Sequence, residues 1–504
     1  MYFDCARALS KTNNMNQDLS GAASPGESPK TIISPIPSAI PKRIQSLDTL
    51  RGIAVLGALF VSIWFFGGFS TNQQNGLLLQ SKGGNYRLWG AVDLLFNGKM
   101  RALISLVFGA AMVLFLSRKN ASNEGTNDDL FIKRQMWLMA FGLINALIFL
   151  WSGDVLFHLG IMGILLFPFV RLTSRGLMIA SIIAILIFSG KNYWNYADDK
   201  AAYSKFVAVT AFEKKLSKDS LLAAQKKLPV KEQKKDSLSK QQKEDKSAWE
   251  GILSSKKYDP KSDEGGTKQM RNGSFGKVWD HLLPVTQSRE AQWTYTTGVW
   301  DFASMILLGM ALFKFGFWDG SFPRQKYFLL ALAGIGGGLL LGWFRLQHNQ
   351  YELKDYTKYI TGHWQPHNLF FPFERALLAL GYASLVLLMI RVGVLKFLWR
   401  ALAAAGQMAL TNYLLQSIFC ALFFGGFAFG YYGRLEQYQL YLVAAEICLL
   451  EIACSIFWLQ YYRYGPAEWL LRCLMYKKWL PNKLSHPTET QETLMPYADE
   501  IKLN

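Results

Sequence analysis

Charged residues are scarce in this chain. They make up 18% of its 504 residues, whereas hydrophobic residues make up 51% and include 16 Trp and 35 Phe. A soluble protein of this length carries a charged share of about 25%. The composition therefore excludes an ordinary soluble protein and predicts a chain that crosses a membrane several times.

Cysteine is also rare, and several common motifs are missing. The sequence holds 5 cysteines, with no CxxC spacing, so neither a disulfide framework nor a zinc site is predicted. A Walker A sequence and a GxGxxG motif between a strand and a helix are both missing, which argues against an ATP-driven pump. No convincing internal repeat is visible, and this weakens a transporter interpretation because many transporters carry one.

The net charge of +18 has a membrane explanation. Lysines and arginines collect between the apolar segments, where the positive-inside rule and anionic lipid head groups favour them. Membrane lipids are therefore the expected partners of these cations. No nucleic-acid partner is predicted.

Apolar runs of about 17 to 25 residues predict about ten membrane spans. Cations are concentrated on alternate sides of the spans, which puts both termini in the cytoplasm. The runs lie near 50–69, 100–117, 133–151, 155–171, 176–190, 298–317, 326–345, 369–390, 406–430 and 438–462.

A long lysine-rich segment separates two sets of spans. Because long loops translocate largely regardless of charge, this segment is predicted to lie outside the cytoplasm and to be partly helical. The predicted fold is an all-α polytopic bundle with an insert between two five-helix halves. Its parts are a disordered cytoplasmic tail (1–42), an N-terminal transmembrane half (43–190), the extracytoplasmic insert (191–297), a C-terminal transmembrane half (298–480) and a cytoplasmic tail (481–504).

Ionisable residues at membrane depth are candidate functional residues because burying them is costly. Asp48 and Arg51 stand at the foot of the first span, three residues apart, so they can neutralise each other or present one charge to a ligand. Both interpretations stay open. Arg101 is predicted at the outer mouth of the second span.

Asp154 and His158 follow a tight turn and share one helical face by their spacing of four. A carboxylate that orients an imidazole prepares a general base, for example to deprotonate an acceptor hydroxyl. The alternative is that Asp154 caps the helix and His158 only hydrogen-bonds a neighbouring span.

The C-terminal half contributes two further pairs. Glu374 and Arg375 are adjacent and therefore face different directions, so each is expected to find partners on other spans. Asn412 and Gln416 share a helical face, and can bond across helices or line a polar cavity.

Two other polar pairs receive structural interpretations. His363 and His367 have a metal-like spacing, but Pro366 breaks the helix between them, so no metal site is predicted. After the last span, Glu468 and Arg472 have the spacing of an i,i+4 ion pair.

Six sequence blocks stand in this order along the chain: SLDTLRGIAVLG, GKMRALISLVFGAAM, WSGDVL, GYASL, GQMALTNYLLQS and YRYGPAEWLLRCL. Together they resemble the YeiB family of uncharacterised bacterial inner-membrane proteins. That family is grouped with the transmembrane acyltransferases, including the acyltransferase-3 proteins. The resemblance implies a bundle of about ten helices that can pass an acyl group from a cytoplasmic donor of the acyl-CoA type to an acceptor outside.

The chain departs from these relatives at two positions. Acyltransferase-3 proteins carry a histidine eleven residues after the arginine of the LRG motif, where this chain has Ser62. YeiB relatives often carry a histidine in the third span, where this chain has Asn145. His158 is the proposed substitute for the missing imidazole.

Three functional hypotheses follow. In the first, a bacterial inner-membrane acyltransferase modifies a glycan, a lipid or a small molecule, and a tunnel joins the Arg51 end to Asp154. The second is a small-solute transporter or channel, and the third is a membrane scaffold that binds a partner through its insert. In the first hypothesis Asp154 and His158 form the base, while donor or acceptor is bound by Asp48, Arg51, Arg101, Glu374, Arg375, Asn412 and Gln416.

Overall fold

The computed structural model describes residues 44–117, 126–225, 238–259, 261, 263–362 and 366–484. The predicted N-terminal tail, most of the C-terminal tail and His363 lie outside these ranges.

All the regular elements of the described ranges are helices, so the all-α prediction is confirmed. Eighteen are α-helices, one is a π-helix at Ser288–Gly298, and two are short 3-10 helices at Phe167–Arg171 and His367–Phe370. The α-helices are α1 (Gln45–Phe66), α2 (Thr71–Gln80), α3 (Gly84–Leu95), α4 (Lys99–Leu116), α5 (Asn127–Leu147), α6 (Leu156–Leu165), α7 (Ser174–Gln225), α8 (Lys240–Lys256), α9 (Glu264–Asn272), α10 (Phe275–Gln287), α11 (Val299–Lys314), α12 (Arg324–Lys354), α13 (Tyr356–Gly362), α14 (Phe371–Val392), α15 (Lys396–Gln407), α16 (Ala409–Phe424), α17 (Gln437–Tyr461) and α18 (Pro466–Tyr476).

Seven helical segments of the described chain are long and apolar enough to cross a membrane, so the polytopic prediction is also confirmed. Helices α15 and α16, bent by 78° at their junction, would make an eighth. The predicted spans near 133–151 and 155–171 correspond to α5 and α6, and neither helix is among these seven. The first turns of α5 are charged, and α6 has 10 residues.

Helix α7 links the apolar bundle to the lysine-rich segment. Its 52 residues span about 78 Å at 1.5 Å per residue, far more than the roughly 30 Å of a hydrocarbon core. Its C-terminal part packs on α8, where Trp249 is buried against Tyr203 and Tyr356. The insert is therefore attached to the bundle by an aromatic cluster.

Helices α4 and α11 approach each other through two glycines. A Cβ atom added to Gly109 would lie 2.0 Å from the Ile306 carbonyl oxygen. A Cβ atom added to Gly309 would lie 1.9 Å from the Leu106 carbonyl oxygen. Small residues permit such close packing of helix backbones in membranes. This contact fixes the spacing of the two helices that carry Arg101 and Asp301.

We expect Gly309→Ala to destabilise the protein by about 1–3 kcal/mol, because the added methyl group must push two backbones apart. Thermal unfolding in detergent measures the change. Gly336→Ala is the matched control, since a Cβ atom there meets no other atom of the described structure within 4 Å. Equal unfolding temperatures for the two variants would contradict the tight α4–α11 contact.

A buried polar cluster and the cavity beside it

Four charged side chains meet between α3, α4, α12 and α14. The Lys99 Nζ atom lies 2.6 Å from Glu374 Oε1, and Arg345 Nε lies 2.8 Å from Glu374 Oε2. Arg345 Nη2 also lies 2.6 Å from Asp93 Oδ2. All four residues are buried. Each charge therefore has an opposite charge in contact, which offsets the cost of removing it from water.

A second set of contacts joins Asp301 to two arginines. Arg101 Nη2 lies 2.8 Å from Asp301 Oδ2, and Arg375 forms an ion pair with Asp301 Oδ1. Arg375 Nε also donates to the Gly98 carbonyl oxygen at 2.9 Å. Glu374 and Arg375 thus pair with other helices, which confirms the expectation from their adjacency.

The two sets form one charged cluster with an excess of positive charge. Its cations are Lys99, Arg101, Arg345 and Arg375, and its carboxylates are Asp93, Asp301 and Glu374. Four cations against three carboxylates leave a formal charge of +1. Arg101 is the cation of this set with the largest exposed side-chain fraction, 24%. The excess charge is therefore accessible at Arg101.

The π-helix Ser288–Gly298 places two polar side chains on either side of His158. Thr294 Oγ1 lies 2.7 Å from His158 Nε2, and Glu290 Oε2 lies 3.7 Å from His158 Nδ1. The imidazole stacks on Phe302 with ring centroids 5.4 Å apart. His158 is 1% exposed. π-Helices are rare, and their usual form, a single-turn bulge within an α-helix, is frequent at functional sites.

Trp293 connects the His158 group to the charged cluster. Its ring meets the His158 imidazole edge to face, with centroids 5.4 Å apart. The Arg289 and Arg101 guanidinium carbons lie 3.4 and 5.3 Å from the Trp293 ring centroid. Such cation–π contacts hold arginines over an aromatic face. An imidazole, an indole and two guanidinium groups thus form one continuous polar centre.

A cavity of about 310 Å³ adjoins this centre. Arg101, Trp293 and Asp301 contribute to its lining. Lys256 of the insert and Glu352 near the end of α12, which pair at 2.9 Å, also line it. A volume of this size fits a small polar molecule.

Asp154 has partners other than His158. Its Oδ1 atom accepts from Asn145 Nδ2 at 2.8 Å and from the Tyr413 hydroxyl at 3.3 Å, and its Oδ2 atom accepts from the Phe157 backbone N–H at 2.8 Å. It therefore caps the start of α6, one of the two roles that the sequence left open. The carboxylate facing the imidazole belongs to Glu290 instead.

Asn412 and Gln416 bond across to α17. Asn412 Nδ2 donates to Ser455 Oγ at 3.0 Å, and Gln416 Nε2 donates to Glu451 Oε2 at 2.8 Å. Within the described residues, Glu451 Oε1 has no hydrogen-bond partner. The pair thus takes the first of its two predicted roles, bonding between helices.

Asp48 and Arg51 form the predicted ion pair at 2.8 Å within α1. Neither of them, nor Asp154, belongs to the lining of the 310 Å³ cavity. Of the predicted site residues, Arg101, Glu374 and Arg375 lie in the charged cluster and His158 contacts it through Trp293. The tunnel from Arg51 to Asp154 stays a prediction.

Ser62 and Asn145, the two residues at which the chain departs from the relatives, make local contacts. Ser62 Oγ donates to the Ala58 carbonyl oxygen at 3.1 Å, as serines in helices often do. Asn145 donates to Asp154. Neither contact brings Ser62 or Asn145 to the His158 imidazole.

One predicted ion pair is wrong. Glu468 does not form an ion pair with Arg472. It accepts hydrogen bonds from the Leu410 N–H at 2.7 Å and from the Thr411 hydroxyl at 2.6 Å. Arg472 lies over the Tyr464 ring instead, 4.2 Å from its centroid. Burial raises the pKa of Glu468. The unpaired N–H groups at the start of α16 compete successfully for this carboxylate.

Sequence reasoning missed several buried polar residues. Asp301 opens an apolar run, and Arg345 and Glu451 stand within or at the end of such runs, so a stricter search for lone charges would have found them. Glu290 and Thr294 gave no such signal because they belong to the polar segment before a span. Only the π-helix brings them to His158.

Residues 312–478 match the family described as "Protein of unknown function (DUF418)". The chain is similar to the uncharacterised protein YxaH of Bacillus subtilis, with 24% identity over 88% of this chain and 97% of the relative. It is also similar to the uncharacterised protein YeiB of Escherichia coli, with 27% identity over 86% of this chain and 96% of the relative.

No solved structure gives a significant match to this chain. The likeness to YxaH and YeiB supports a YeiB-like family, in agreement with the resemblance drawn from the sequence blocks. Together with the apolar helices, it identifies an integral membrane protein.

Proposed function

We propose that the protein is an acyltransferase of the bacterial inner membrane. It transfers an acyl group from a cytoplasmic thioester donor, of the acyl-CoA type, to a hydroxyl or amine of an acceptor outside the cytoplasm. The acceptor is a glycan, a lipid head group or a small molecule. Both termini lie in the cytoplasm, and the cavity beside Arg101 opens on the outer side with the insert.

The observation that carries this proposal is the position of His158. A buried imidazole with a hydroxyl on one nitrogen and a carboxylate facing the other has the arrangement of a general base. Trp293 contacts both this imidazole and Arg101, which lines the cavity. A base one aromatic ring away from a small polar cavity suits deprotonation of an acceptor bound there.

The charged cluster supplies a second requirement of acyl transfer. The carbonyl oxygen of an acyl group becomes an anion as the acceptor attacks, and fixed cations stabilise that charge. Arg101 combines exposure to the cavity with the positive excess of the cluster. We assign it the role of stabilising negative charge on the donor or on the reacting carbonyl.

The test is acetyl transfer by the purified protein. Radiolabelled acetyl-CoA is the donor probe, and glucosamine is the acceptor probe because it offers both an amine and hydroxyls. We expect free thiol and acetylated glucosamine in equal amounts. Movement of labelled glucosamine into proteoliposomes without any donor, and without acetylation, would support the transporter alternative and contradict the proposal.

A further inference from the structure

Thr294, His158 and Glu290 are arranged as hydroxyl, imidazole and carboxylate in series. The hydroxyl oxygen lies 2.7 Å from His158 Nε2, and the carboxylate oxygen lies 3.7 Å from Nδ1. A nucleophile within hydrogen-bond reach of a base, itself oriented by a third group, is the structural signature of an activated hydroxyl. The contact to the Glu290 carboxyl group is longer than a hydrogen bond.

Glu290 faces Nδ1 of His158, and Thr294 faces Nε2. With the ring proton on Nδ1, the Nε2 lone pair is directed at the Thr294 hydroxyl. The Thr294 hydroxyl also lies 3.0 Å from the Arg289 carbonyl oxygen. Because a hydroxyl proton rotates freely, it can turn from that carbonyl to Nε2.

Within the described ranges, Arg289 adds an unpaired donor beside this group. Its guanidinium lies over Trp293, and Nε has no hydrogen-bond partner among the described residues. A buried donor left unpaired in this way is costly unless a ligand satisfies it. Trp293 lines the cavity, and Thr294 is the next residue in the chain. Thr297, three residues further along the π-helix, also lines the cavity.

We propose that Thr294 Oγ1 is the nucleophile of this site and carries the acyl group as an ester between donor and acceptor. This inference rests on the proposed acyl transfer. His158 Nε2 takes the Thr294 proton while Oγ1 bonds to the acyl carbon, and the carbon–sulfur bond of the thioester breaks. The departing sulfur receives that proton and leaves as a free thiol.

The second half of the reaction regenerates the free hydroxyl of Thr294. The acceptor hydroxyl or amine gives its proton to Nε2 and bonds to the acyl carbon. The ester bond to Oγ1 then breaks, and Thr294 recovers the proton from His158. Each half transfers one acyl group and one proton, so no oxidant or reductant is needed. Separate half-reactions also allow donor and acceptor to occupy the site in turn.

The competing explanation is that Thr294 only orients the His158 imidazole. A covalent adduct on Thr294 distinguishes a nucleophile from such an orienting residue. We would incubate the purified protein with p-nitrophenyl acetate, an activated ester that needs no knowledge of the natural donor, quench it in acid and analyse its peptides by mass spectrometry. We expect one acetyl group on Thr294. Thr294→Ser should retain the adduct, whereas Thr294→Ala and His158→Ala should lose it.

Thr296→Ala is the matched control, because Thr296 lies on the same π-helix but is exposed and bonds only to backbone oxygens among the described contacts. It should be acetylated at Thr294 like the unaltered protein. Unfolding temperatures of all variants would show that they are folded. An unlabelled Thr294 in the unaltered protein would overturn the proposal.

The outcomes also separate this inference from the proposed function. If Thr294→Ala transferred acetyl from acetyl-CoA to glucosamine at the unaltered rate, acyl transfer would stand and the Thr294 nucleophile would fall. We expect instead a loss of about 100-fold or more. If the unaltered protein transferred nothing from acetyl-CoA, the proposed function would fail, and labelling by p-nitrophenyl acetate would still decide the reactivity of Thr294.

Discussion

Asp301→Ala is expected to destabilise the protein by about 3–5 kcal/mol, because it leaves the buried Arg375 and the partly buried Arg101 without their shared carboxylate. Arg375 is 2% exposed and Asp301 is 1% exposed, so water cannot replace the lost partner. The same substitution releases Arg101 from its contacts with Asp301 Oδ2. The loss should appear as a large fall in the unfolding temperature in detergent.

Asp128→Ala is the control for this prediction. Asp128 also pairs with an arginine, but the distance to Arg171 is 3.5 Å and the two side chains are 49% and 81% exposed. Exposed pairs contribute little to stability, so we expect no measurable change in unfolding temperature. If Asp301→Ala were as stable as this control, the cluster would not be the compensated network that the structure describes.

His158→Ala is expected to lower the rate of acetyl transfer by about 10²–10⁴-fold, the usual contribution of a general base. The folded state should persist, because the ring packs mainly on Phe302 and Trp293 and leaves a cavity rather than an unpaired charge. Transfer from acetyl-CoA to glucosamine, measured beside the unfolding temperature, separates catalysis from folding.

His348→Ala is the matched control for the imidazole. His348 lies on α12, contacts the Phe344 carbonyl oxygen, and has no place in the proposed mechanism. Its removal should leave the rate of transfer within a factor of about two. Equal rates in the two histidine variants would remove His158 from the chemistry.

The helical membrane architecture could be predicted because it depends on local properties of the chain. Apolar runs of sufficient length must form helices in lipid, where each backbone polar group needs a partner within its own segment. The π-helix has no comparable signature, since the pattern of apolar residues does not distinguish it from an α-helix. That is why Thr294 was not predicted.

Individual site residues were easier to find than their partners. His158, Arg101, Glu374 and Arg375 could be recognised as costly polar groups near apolar runs. Their partners come from distant parts of the chain, as with Arg101 and Asp301, which lie 200 residues apart. Asp154 is the opposite case. Its spacing of four from His158 suggested a pair, but its carboxylate accepts a hydrogen bond from the Phe157 N–H instead.

The sidedness of the reaction is the most direct test of the whole account. Inverted membrane vesicles would be loaded with glucosamine and given radiolabelled acetyl-CoA outside, at the face that is cytoplasmic in the cell. The account predicts acetylated glucosamine inside the vesicles, no entry of coenzyme A, and loss of product with His158→Ala. Product formed only outside, or equal product in vesicles that lack the protein, would contradict it.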